Sequence, residues 1–162
     1  MYLRYKIKNH KAAPGLTAHC IQVKRNMNKE KIIECLFTEF SDIRYVAFYI
    51  RDELIYKQKE QTFDSSSGET DKYEELLVNP TLLKLAGQRG NIDCGGLNYL
   101  IIGYGNFYQI VKSIPNGHIS ICIAHKSDLN TLPGHIFNYL IKNFSELMRS
   151  EEHTSELQSL TN

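Results

Sequence analysis

Gly95-Gly-Leu-Asn-Tyr-Leu-Ile-Ile-Gly-Tyr-Gly-Asn-Phe-Tyr-Gln-Ile-Val111 and its continuation to Ile123 decide the fold. Residues 97–102 are apolar on both faces, 107–114 alternate, and 118–124 send Ile119, Ile121 and Ile123 to one side. Such runs read as three antiparallel strands. Gly103-Tyr104-Gly105-Asn106 and Pro115-Asn116-Gly117 supply the glycine and asparagine that tight turns tolerate in left-handed conformations.

Working towards the N-terminus, the Gly95-Gly96 pair lets the chain enter the sheet at positive φ, and Gly90 predicts the end of a preceding helix. That helix carries Leu82, Leu83, Leu85 and Ala86, preceded by a stripe of Tyr73, Leu76 and Leu77. Asn79-Pro80 stands between them in the order of an N-cap and first helical residue, so the sequence predicts a bent or broken helix. Residues 62–70 have a loop composition, with Thr70 placed to cap the helical stripe that begins at Tyr73. Further upstream, residues 43–50 are rich in β-branched and aromatic side chains and 54–58 return as a more polar edge strand across Arg51-Asp52-Glu53. Asn28 caps a first helix whose Ile33, Leu36, Phe37 and Phe40 share one face, ended by Ser41 and Asp42. Towards the C-terminus, Leu132, Ile136, Leu140, Phe144 and Leu147 form the stripe of a last helix beginning near Thr131. The predicted order is α-β-β-α-β-β-β-α, an α+β domain.

Composition limits what surrounds this domain. The chain of 162 residues carries a net charge of +1. Residues 149–159, Arg-Ser-Glu-Glu-His-Thr-Ser-Glu-Leu-Gln-Ser, resemble a translated sequencing-library adapter and have too little apolar surface to offset the entropy of ordering. The segment 149–162 is therefore expected to be an artefactual or disordered tail. Residues 1–26 hold Arg4, Lys6, Lys8, Lys11, Lys24 and Arg25 with no acid, a basic extension that is either native or upstream of a true start at Met27. Residues 27–148 are the expected domain. No stretch approaches a membrane helix or signal peptide, which points to a cytoplasmic protein without membrane contact. The cysteines at 20, 35, 94 and 122 form no Cys-x-x-Cys pair and are expected to be reduced thiols.

Chemical motifs are weak. Gly103-x-Gly105 lacks the third glycine, where Tyr108 stands, and leads into a strand rather than a helix, so a hairpin turn is the better reading than a nucleotide loop. Cys94 with His118 or His125 could be assembled into a thiol nucleophile and base, but no local signature supports it. The two histidines, seven residues apart, lack an acid or thiol at ligand spacing, so no metal or other cofactor is expected. Tyr45, Tyr49, Tyr56, Tyr99, Tyr104, Phe107 and Tyr108 exceed what one sheet face needs, which points to association with a partner. Without interleaved arginines they do not make an RNA platform, and no nucleic-acid partner is expected.

Across residues 28–148, and most closely from Arg89-Gly-Asn-Ile-Asp-Cys-Gly-Gly-Leu-Asn-Tyr-Leu100 through Gly117-His-Ile-Ser-Ile-Cys-Ile123, the chain resembles the roadblock family of dynein-light-chain-like regulatory domains, in a bacterial branch. The resemblance implies a five-stranded antiparallel sheet of order 2-1-5-4-3 flanked by helices. It also implies pairing through helix two and strand three, which assigns dimer contacts to Leu82, Leu83, Leu85, Tyr99 and Ile101. The function so implied is that of a non-enzymatic adaptor, scaffold or regulator of a small Ras-like GTPase, paired with itself or with a paralogous roadblock domain. A small-molecule sensor with a pocket between sheet and helix two is the alternative.

Overall fold

The computed structural model of the chain describes residues 28–59 and 68–149. The basic arm of 1–26, the loop residues 62–67 and the tail from 150 onward lie outside the described residues.

Asn28 caps α1 (Lys29–Glu39), its side chain accepting from the backbone N–H groups of Glu30 and Lys31. Such a cap satisfies donors that every helix start leaves open. β1 (Ile43–Ile50) turns into β2 (Glu53–Gln58) through Arg51 and Asp52, at φ of 51° and 64°. Two successive left-handed residues match the twist of paired strands. The Tyr49 hydroxyl donates to Asp52 Oδ1 at 3.0 Å across that turn.

The second helical region is continuous. It runs from α2 (Gly68–Tyr73) through a π-helical turn (Glu74–Val78) into α3 (Asn79–Asp93). Of the bent or broken helix expected at Asn79-Pro80, the break does not occur. Asn79 is helical, at φ −61° and ψ −47°, and its N–H bonds to Glu74 O five residues back. The wider turn accommodates a proline ring that would clash with the carbonyl four residues earlier in a regular helix. Thr70 lies inside α2 rather than capping it. Gly90 also lies inside the helix, which ends three residues later, at Asp93. A Cβ on Gly90 would stand 3.0 Å from the Gly96 carbonyl carbon, so this glycine serves a close approach of backbones. Gly95 and Gly96 then reverse the chain at φ of 74° and 91°.

β3 (Leu100–Gly103) is shorter than the predicted 97–102, because Lys112 Nζ takes the Asn98 carbonyl at 2.6 Å before pairing can start. β4 (Phe107–Ile114) and β5 (Gly117–Ala124) follow, joined through Asn116 at φ 62°. The turn before β4 uses no left-handed glycine or asparagine. α4 (Leu132–Asn143) and the short α5 (Ser145–Met148) close the described chain. All pairings are antiparallel, in the order β2-β1-β5-β4-β3. This is the α+β fold and the element order that the sequence predicts.

One face of the sheet presents Val46, Phe48, Ile110, Ile119, Ile121 and Ile123 to α1 and α4, where Ile33, Leu36, Ile136 and Leu140 complete the main core. Each such side chain contributes about 1.5–3 kcal/mol by leaving water. The other face carries Tyr45, Ala47, Gln109, His118, Ser120 and Cys122 beneath the second helical region. Both faces are thus covered within one chain. Of the strand aromatics, Tyr99 and Tyr108 pack on the main core and Tyr45 is buried, while Tyr56 and Tyr104 stay exposed, so the surplus expected on the sheet is absorbed in part. Cys94 and Cys122 are free thiols, but Cys35 is disulfide-bonded, which corrects the expectation of reduced cysteines throughout. Sequence spacing carries no information on which cysteines meet in space.

Candidate functional site

The second helical region is turned inside out. Its inner side buries Glu75, Asn79, Leu83 and Gly90, while Tyr73, Leu76, Leu77, Leu82, Leu85 and Ile92 are exposed. A surface helix ordinarily does the reverse. Its polar inner residues meet the polar row of the sheet below. Glu75 Oε2 accepts from Asn79 Nδ2 at 3.0 Å and lies 2.8 Å from His118 Nε2, while Gln109 Nε2 donates to Ser120 Oγ at 2.9 Å.

Burial dominates the electrostatics of this layer. It pushes the Tyr45 hydroxyl and the Cys122 thiol well above their usual ranges, and the nearby Glu75 and Asp71 carboxylates add to both. A thiol held protonated in this way is a poor nucleophile. Tyr45 OH, Asn79 Oδ1 and Gln109 Oε1 have no hydrogen-bond partner among the described residues.

The predicted partner contacts fall in three places. Leu82 and Leu85 lie on the outer face of α3, at 37% and 60% exposure. Ile101, also exposed, sits on the edge strand β3 opposite Ile110, so its side chain belongs to the sheet face covered by α1 and α4. Tyr99 leans on Phe137 of α4 with ring centres 5.5 Å apart, and Leu83 is buried within the subunit. A partner reaching Leu82, Leu85 and Ile101 together must approach edge-on along β3.

The residues considered for nucleophilic chemistry do not converge. Cys94 Sγ contacts Asp93 and Arg89 at the end of α3, His118 is enclosed with Glu75, and His125 stacks on Tyr108 at 5.0 Å. Among the described residues no group of three or more His, Cys, Asp or Glu is placed to hold a metal ion. No helix among them is long and apolar enough to cross a membrane.

At the other end of the helical region a cleft of about 430 Å³ opens between the π-helical turn and the turn before β4. The Tyr104 hydroxyl donates to Glu74 there, and burial raises the Glu74 carboxyl above its usual range against the lowering effect of that bond. The Glu75 and His118 pair was not visible in the sequence; the only hint is that His118 shares its strand face with Ser120 and Cys122 rather than with the isoleucines.

No protein-family model matches the chain, and no curated protein matches its sequence.

Proposed function

We propose that this chain is a non-enzymatic interaction module that pairs with a second copy of itself or a close paralogue. The pair acts as an adaptor or regulator of a small Ras-like GTPase in the cytoplasm. The observation that carries the pairing is the exposure of Leu76, Leu77, Leu82 and Leu85 along one helical region, in a fold whose sheet ends at a β3 edge left unpaired among the described residues. Exposed apolar surface favours association through burial, and an open strand edge favours it through ladder hydrogen bonds. The sheet order agrees with what the roadblock resemblance implies, and the GTPase rests on that resemblance alone.

Light scattering of the full chain tests the pairing. A particle of twice the 18.7 kDa chain mass supports it, and a monomer at high micromolar concentration removes it. GTP-dependent capture of a Ras-like GTPase by the purified dimer tests the regulatory part. A second reading, a small-molecule sensor, has the cleft beside Glu74 in its favour.

A further inference from the structure

We infer that the cleft between the π-helical turn and the turn before β4 binds an organic cation, through its ammonium or guanidinium group. The inference rests on the cleft alone and not on the pairing.

Asp71, Tyr73, Glu74, Tyr104, Asn106 and Phe107 are among its lining residues, and none of the described lining residues is basic. The Tyr104 and Phe107 rings stand 5.1 Å apart at 47°, two walls meeting at an angle. Ring faces attract weakly hydrated cations, more strongly when water is displaced. Phe107 already shows this chemistry within the fold. The Arg44 guanidinium sits 5.7 Å from the centre of its ring, with Nη1 donating to the Asn106 carbonyl at 3.0 Å.

Glu74 supplies the counter-charge. It is half-buried, it accepts from the Tyr104 hydroxyl, and among the described residues no lysine or arginine pairs with it. A carboxylate in partial burial without a cation is unfavourable unless something neutralises it. Its field, with those of Asp71 and Glu75, reaches inward far enough to raise Cys122 beyond what burial does. A cation seated between Glu74 and the two rings supplies that neutralisation. The aromatic walls select an organic cation over a strongly hydrated inorganic one, and the volume admits a group of side-chain size.

Calorimetric titration of the full chain with butylguanidinium, with a blocked Ala-Arg-Ala tripeptide and with neutral butylurea tests the inference. Saturable binding of either cation, with butylurea at least tenfold weaker, is expected. Equal or tighter binding of the free cation than of the tripeptide assigns the site to a small amine, and tighter binding of the tripeptide assigns it to a partner's side chain. Glu74→Gln is expected to weaken the cation about tenfold; should that variant not fold, Tyr104→Leu carries the same expectation. No saturable binding, butylurea bound as well as the cations, or a loss of less than threefold in the folded variant overturns the inference. Light scattering on the same samples reads pairing separately. A monomer that binds the cation removes only the pairing, and a dimer that does not bind removes only the cation site.

Discussion

Glu75 Oε2 stands 2.8 Å from His118 Nε2 with both side chains enclosed, at 1% and 2% exposure, joining the π-helical turn to the central strand β5. The contact spans 43 residues of chain and explains why the helix lies with its polar side inward. Asn79 donates to the same carboxylate oxygen, so the widened turn and the buried acid belong to one arrangement.

Removing one partner leaves the other buried and uncompensated. Glu75→Leu is expected to cost about 3–5 kcal/mol, whereas Glu75→Leu with His118→Leu should recover most of that loss. Urea unfolding of the two single variants and the double variant measures the coupling. A single substitution costing less than 1 kcal/mol would show that the pair does not hold the helix.

Tyr45 lies on the same face, and its hydroxyl has no partner among the described residues. Tyr45→Phe is expected to stabilise the protein by about 1 kcal/mol at pH 7, since an unsatisfied buried hydroxyl is lost. The alkaline side is set by the direction of the shifts. Burial first, then neighbouring carboxylates, raise Tyr45 and Cys122, so the folded chain keeps protons that the unfolded chain releases from about pH 8.5 for a thiol and about 10 for a phenol. Stability present below those values is lost as pH rises past them, by up to about 1.4 kcal/mol per pH unit and group. Tyr45→Phe should therefore also show a shallower decline above pH 10 in thermal melts. An unchanged decline would place the ionising group elsewhere.

The strands were legible because their alternation is local. Ile119, Ile121 and Ile123 declare one face of β5 whatever packs on it, and Asn28 declares its cap through its own side chain. The second helical region was not legible in the same way. Leucine spacing marks a stripe without saying whether it faces inward, and here Leu83 turns in while Leu82 and Leu85 turn out. The deciding partners, His118 and Gln109, arrive from strands far along the chain. Pro80 was misleading for a related reason, because a proline forbids one hydrogen-bond pattern and the chain answered with a π turn rather than a break.

Two glycines on α3 should respond to alanine with opposite signs. At Gly87 an added Cβ meets nothing within 4 Å, so Gly87→Ala is expected to gain up to about 1 kcal/mol from helix propensity. At Gly90 the same Cβ stands 3.0–3.1 Å from the backbone of Gly96 and Leu97, which is tied to the helix by the Gly96 N–H bond to Gly90 O. Overpacking against backbone outweighs the propensity gain there, for a net loss of about 1 kcal/mol. Chemical denaturation of the two variants decides it. Equal gains at both positions would mean that the 94–97 turn is not docked on the helix.

Leu83 and Leu85 separate the core from the partner face. Leu83 is 7% exposed on the inner side of α3, and Leu83→Ala is expected to lower stability by about 2–5 kcal/mol through lost burial and the cavity left behind. Leu85 is 60% exposed, and Leu85→Lys should change the stability of the isolated subunit by no more than about 0.5 kcal/mol, measured at a concentration low enough to separate any pair. At high concentration the order of effects reverses. A lysine placed in the middle of an apolar contact desolvates its charge without a partner, so Leu85→Lys should convert the pair to a monomer in light scattering while Leu83→Ala, where folded, stays paired. Leu82→Lys, on the same outer face, is expected to behave as Leu85→Lys does. A pair that survives both lysines would move the contact away from α3 and leave the β3 edge, marked by Ile101, as the surface to alter next.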